Sequence, residues 1–292
     1  MKIKNKISGI LAMTALVVLI SSCEKDIKID IPKTTDKVVI EGSIDLNNYS
    51  IVSVTHNLPY FGTFDSSMIV NLFIQNAVVI VSDGASFDTL KKTYNLNSYP
   101  YIFYKGTKIK GESGKTYSLT VNAEGKTFTA LTTIPPNVAI DSLWFKLEPN
   151  QDSLGYVWAK FTDTTPTGNY YRVFTKRQTK DKAFAPMLFS SVYSDVFFNG
   201  ETFTFTIERG ETFYDPSVND PTLGYFKLGD TILIKACTID RISYNFWRSA
   251  EANMYSGGDP FMNPAQVATN IEGGGLGGWS GYGSEYYTVI AK

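Results

Sequence analysis

Between Lys37 and Thr133 apolar residues recur at every second position in short runs, the period of a strand with one buried face. In Lys37–Asp45, Val38, Ile40 and Ile44 share one parity. In Tyr49–His56, Val52 and Val54 lie on the face of Ser50 and His56, with Tyr49 and Ile51 opposite. Asn76–Gly84 reads as a strand closing in an Asp-Gly turn, and Phe87–Tyr94 and Tyr101–Tyr104 give weaker strands. The clearest alternation is Lys115–Asn122, where Tyr117, Leu119 and Val121 oppose Thr116, Ser118 and Thr120. Ala123-Glu124-Gly125 then turns the chain into Lys126–Thr133. Short strands in succession with turn signals between them predict an immunoglobulin-like β-sandwich over residues 37–134, with Tyr117 as its tyrosine corner.

Ile134-Pro135-Pro136-Asn137 cannot pair inside a sheet, because proline has no amide hydrogen. It marks a domain boundary and an exposed linker. A second, β-rich domain follows over 139–292. Ile140–Leu147, Tyr156–Phe161, Asn169–Arg177 and Glu201–Glu208 read as strands, and in the last of these Phe203, Phe205 and Ile207 point inward. The aromatic stretch Phe184–Phe198 fits no period. Asp230–Ile239 is a strand apolar on both faces. Asp240 is placed as the N-cap of one helix, about 241–255, whose Ile242, Phe246, Ala250 and Met254 would pack on a sheet. A glycine-rich loop over 270–283 and a last strand, Glu285–Ala291, complete the pattern.

The N-terminus has a different texture. Lys2, Lys4 and Lys6 precede an uncharged, mostly apolar run from Ile7 to Ile20, shorter than the roughly 20 residues of a spanning helix. Ser21-Ser22-Cys23 closes it with two small residues before a cysteine. That order predicts a lipoprotein signal peptide over 1–22, cut before Cys23, which then carries the lipid. Two or more acyl chains anchor stably, at about 0.8 kcal/mol per buried methylene. Residues 23–36 are polar and broken by Pro32, as a tether would be. The acidic Glu24 and Asp26 beside the cysteine match surface-export signals.

Composition removes several classes of function. The net charge is −1, from 27 basic and 28 acidic residues, and no basic stripe suggests nucleic acid. With Cys23 lipidated, Cys237 is the remaining cysteine and reads as a core residue rather than a reactive thiol. His56 is the single histidine, so a site of several histidines on zinc is excluded and no metal is expected. No Gly-x-Ser-x-Gly elbow accompanies His56. Gly273-Gly274-Gly275-Leu276-Gly277-Gly278 has the letters of a dinucleotide fingerprint, but a strand follows where the fingerprint needs a helix, so no cofactor is expected. Asp83, Asp163 and Asp240 sit at turn and cap positions, and no pair of carboxylates stands out for catalysis. Two aromatic segments remain as candidate contact surfaces for a partner or ligand: Tyr60, Phe61 and Phe64 after His56, and Trp279 and Tyr282 in the glycine-rich stretch.

An ordered set of short motifs adds to this. It runs from the Cys23 lipobox through Ile40-Glu41-Gly42, Gly111-x-x-Gly114-x-x-Tyr117-x-Leu119-x-Val121 and Ile134-Pro135 with Ile140-Asp141-Ser142. Gly229-Asp230, Tyr244-x-Phe246-Trp247 and Asn270-Ile271-x-Gly273-Gly274-x-Leu276-Gly277 complete it. Together these resemble the Bacteroidota outer-membrane lipoprotein family called domain of unknown function 4249. The resemblance spans the mature chain and supplies no catalytic residues. It implies an outer-membrane lipoprotein on the cell surface, working beside a TonB-dependent receptor. The expected role is therefore non-enzymatic, an accessory or ligand-binding partner of a TonB-dependent uptake system. A structural or adhesive cell-surface lipoprotein is the alternative, and a surface hydrolase a third.

Overall fold

The computed structural model describes residues 36–57, 71–95, 99–211, 220–256 and 266–292. From Asp36 to Lys292 they form one compact unit. The first half holds β1 (Val38–Asp45), β2 (Tyr49–His56), β3 (Val78–Ser82), β4 (Phe87–Thr89), β5 (Lys91–Tyr94), β6 (Ile102–Lys110), β7 (Thr116–Ala123) and β8 (Lys126–Thr133). Then come β9 (Ser142–Leu147), β10 (Leu154–Thr162), β11 (Tyr170–Arg177), β12 (Ala185–Pro186), β13 (Val192–Ser194), a 3-10 turn at Asp195–Phe197, and β14 (Thr202–Ile207). β15 (Phe226–Lys227), β16 (Thr231–Ile239), the helix α1 (Arg241–Ser256) and β17 (Leu276–Ile290) finish the order.

The first sandwich has the expected topology. β1-β2-β6-β5 lie side by side in one sheet and β4-β3-β7-β8 in the other, which in immunoglobulin lettering is A-B-E-D over C′-C-F-G. The residues that alternate inward in the sequence fill the space between. Ile40, Ile44, Val52, Val79, Val81, Tyr117 and Val121 are fully buried. Tyr117 is a tyrosine corner: its hydroxyl donates to the Lys110 carbonyl at 3.3 Å and accepts from the Glu112 amide at 2.7 Å. The β7–β8 hairpin turns through Glu124 and Gly125, both at positive φ, as its two-residue connection requires. Asp88, wholly buried on β4, reaches the other sheet and accepts the Thr107, Lys108 and Ile109 amides at 2.7–3.1 Å.

The second sandwich lays β9, β10, β14 and β15 over β11, β16 and the end of β17. Val157, Ala159, Ile207, Phe226, Ile232 and Ile234 are its sealed centre. Two cores thus flank Ile134–Asn137. They are nevertheless built on one strand. β17 pairs parallel with β1 from Leu276 to Tyr282 and antiparallel with β16 from Tyr282 to Ile290. A nine-stranded sheet therefore runs through both sandwiches.

This changes the reading of the glycine-rich stretch, expected as a loop. Leu276–Ile290 is a strand of 15 residues, and its glycines answer close approaches rather than a turn. A Cβ at Gly281 would stand 2.6 Å from the Thr133 carbonyl oxygen, and one at Gly283 would stand 2.5 Å from that of Pro135. The proline linker lies across the strand there. Thr238 donates its hydroxyl to the Pro136 carbonyl at 2.9 Å, Asn137 donates to Glu285 at 2.5 Å, and Ile134 is fully buried. The segment expected as an exposed linker is bonded down along much of its length.

The helix forms where expected, with its buried face turned: of the residues expected inward Phe246 is buried, while Ile242 and Met254 are not. Asp240 Oδ1 accepts the Ser243 amide at 2.7 Å, the bond of an N-cap. Ile242 and Met254 are 48% and 77% exposed, and Ser243 and Tyr244 join Phe246 on the buried side. Aromatic contacts turn the helix: Tyr244 packs on Tyr170 at 4.8 Å, and the guanidinium of Arg172 lies 3.5 Å from the Trp247 ring centre.

Candidate functional site

Of the contact residues expected from sequence, Cys23, Tyr60, Phe61 and Phe64 lie outside the described residues. Trp279 and Tyr282 do not form an exposed surface. Trp279 is fully buried in the first core, its indole N–H donating to the Tyr117 carbonyl at 3.1 Å. Asn270 holds its backbone on both sides, accepting from the Trp279 amide at 2.9 Å and donating to its carbonyl at 2.8 Å. Gly42 makes room for the ring, since a Cβ there would stand 2.9 Å from it. Tyr282 is 4% exposed beneath α1, where its hydroxyl accepts from Arg172 Nη1 at 2.8 Å. Both rings are spent on the fold.

The other singled-out residues are tied into the fold, and Cys237 also lines the cavity described below. His56 ends β2 with Nδ1 3.2 Å from Asp36 and Nε2 3.3 Å from Glu124. Cys237 is 3% exposed against Ser284, and burial pushes its thiol up to about 11. Asp83 accepts the Ala85 and Ser86 amides in a turn. Among the described residues no three of His, Cys, Asp and Glu gather as a metal site would require. No helix among them is long and apolar enough to cross a membrane.

The feature with the form of a binding site lies in the second sandwich. A cavity of about 260 Å³ opens between its sheets on the side of β13 and β14. Val138 and Ile140 close it from the linker, and Val173 and Ala236 from the large sheet. Phe161 of β10, Tyr171 of β11, Tyr193 of β13, Phe198, and Phe203 and Phe205 of β14 supply aromatic surface. The rings brace one another. Phe198 and Phe203 are 4.6 Å apart, Phe161 meets Tyr171 edge-on at 5.1 Å, and Phe203 lies 5.6 Å from Phe205. Thr206 and Glu208 stand on the β14 side.

Two buried aspartates set this wall. Asp195, wholly buried, accepts the Gly168 amide at 2.8 Å and the Asn169 amide at 3.0 Å, which fixes the 3-10 turn carrying Phe198 against the start of β11. Asp163 accepts the Tyr171 hydroxyl and, at 3.0 Å, the Gly200 amide, which fixes the turn between Phe198 and Phe203. Burial and then the neighbouring Asp163 carboxylate hold the Tyr171 hydroxyl protonated far above the usual tyrosine range. Burial also raises the Glu208 carboxyl, opposed by the Phe189 amide that donates to it at 3.4 Å.

Sequence reasoning missed this site because its walls come from strands far apart in the chain. The Phe203, Phe205, Ile207 alternation was the available signal, and it indicates an inward face without saying whether that face is filled.

A family model described as Domain of unknown function (DUF4249) matches residues 24–285, and the chain belongs to that family. No curated protein matches its sequence.

Proposed function

We propose, taking that family membership as the premise, that the chain is an outer-membrane lipoprotein anchored through Cys23. Its body is displayed at the cell surface and serves as a non-enzymatic, ligand-binding partner of a TonB-dependent uptake system. The observation that carries the binding role is the aromatic cavity. Ligand sites are concave, mostly apolar and supplied with few polar groups, and this one is lined by six aromatic side chains and a single carboxylate. A tethered β body cannot move a ligand across a membrane. It holds the ligand beside a machine that can.

Two measurements test this. A fatty-acid probe fed to cells should label the wild-type protein and not Cys23→Ala; equal label on both sinks the anchoring. The wild-type protein, solubilised in mild detergent, should bring down a β-barrel receptor. One feature favours the alternative, a structural or adhesive role. Trp144 and Trp158 lie near-parallel at 6.5 Å on the outer face of β9–β10, with Trp144 39% exposed. Failure to recover a receptor moves that role to first place.

A further inference from the structure

The cavity is biased in charge as well as apolar. Ring faces carry the negative lobe of the aromatic quadrupole. Tyr171 donates its hydroxyl to Asp163, a carboxylate only 4% exposed, which leaves the phenol ring richer in electrons. Glu208 adds a carboxylate on the β14 side, and among the described residues lining the cavity it is the charged one. An uncharged apolar ligand would gain nothing from the Glu208 carboxylate and a polarised phenol. An anion would be repelled by them.

We propose that the cavity binds an organic cation, a quaternary or methylated ammonium group, held by aromatic surface and by Glu208. This rests on the reading of the cavity as a ligand site and adds its ligand class. The methylated group suits the wall better than a bare ammonium does. It has no N–H to satisfy, so it loses little on leaving water for a lining with few acceptors. It also presents a diffuse positive surface to several rings at once, the arrangement in which cation–π attraction is strongest. At about 260 Å³ the space admits a trimethylammonium head with a short tail.

The test is calorimetric titration of the full-length protein in detergent with choline and with 3,3-dimethylbutan-1-ol, its uncharged isostere. Choline should bind roughly tenfold or more tightly than the isostere, since only the charge differs. Glu208→Gln should weaken choline about tenfold and leave the isostere unchanged. That variant removes a charge from a half-buried position, so it should not harm folding, and an unaltered melting curve verifies this. Phe203→Leu, which keeps bulk and removes a ring, should weaken choline roughly three- to thirtyfold. Equal or tighter binding of the isostere overturns the cation assignment and leaves an apolar ligand site standing. Binding of neither overturns the assignment and the ligand site together. Loss of lipid label or of the receptor bears on anchoring and partnership alone.

Discussion

Trp279 shows how one residue reports on distant parts of the chain. Its position among glycines makes it look exposed, yet it is the largest fully buried side chain among the described residues. Its burial depends on Gly42 beneath it, on Asn270 holding its backbone and on the Tyr117 carbonyl at its nitrogen. None of these is its neighbour in sequence, so sequence could not reveal its burial. Trp279→Ala should destabilise the protein by about 3–5 kcal/mol, the range for emptying a large aromatic site. Urea unfolding monitored by circular dichroism checks this; a cost under about 1 kcal/mol would mean that the ring is not a core residue. Tyr117 was more legible, because its place at the start of a strongly alternating strand carries the tyrosine corner within a few residues. Asp163 and Asp195 fall between. Asp163 reads as a turn residue and is one, and Asp195 lies in the stretch that fits no period; the aromatic wall they brace depends on contacts that only the fold creates.

At the scale of elements, alternation located the strands because each buries one face and exposes the other. Glycine defeated it. Glycine is scarce in strands for want of a side chain to pack, so Gly277–Gly283 read as a loop where close backbone approaches make the missing side chain necessary, whereas Gly273 and Gly274 do lie in a bend before the strand. The helix is legible from its cap and its buried face only in part: Phe246 is inside as its spacing implies, but the packing of Tyr244 and Trp247 leaves Ile242 and Met254 in solvent. Asp240 joins these elements. Besides capping α1, its Oδ2 accepts the Thr132 hydroxyl at 2.8 Å and the Thr133 amide at 3.0 Å, at the end of β8. Asp240→Ala should therefore cost more than the ~1 kcal/mol of an ordinary cap, about 3 kcal/mol with the two lost bonds included. Asp240→Asn, which can still cap the helix, should cost less. Thermal melts of the two variants distinguish the roles, and equal small losses would show that the β8 contact contributes nothing.

For the whole molecule, Ile134–Asn137 separates two cores, as the prolines suggest. What sequence could not convey is that β17 serves both. The hydrophobic period of a strand says that it has a buried face, not that half of that face belongs to one core and half to the next. Ile271 and Trp279, from the second half of the chain, sit in the first core. Chemical denaturation should consequently give one transition, coincident by tryptophan fluorescence and far-ultraviolet dichroism. Two separated transitions would show that the sandwiches are stable without their common strand.

The shared strand also bears on timing. A polypeptide appears N-terminus first, whether from a ribosome or through a secretion pore. β1 emerges early and β17 late, so the edge of β1 that β17 will cover stays open, and the space that Trp279 will fill stays empty, while nearly all of the rest is made. The first sandwich cannot close ahead of the second. Until β17 arrives neither core is complete.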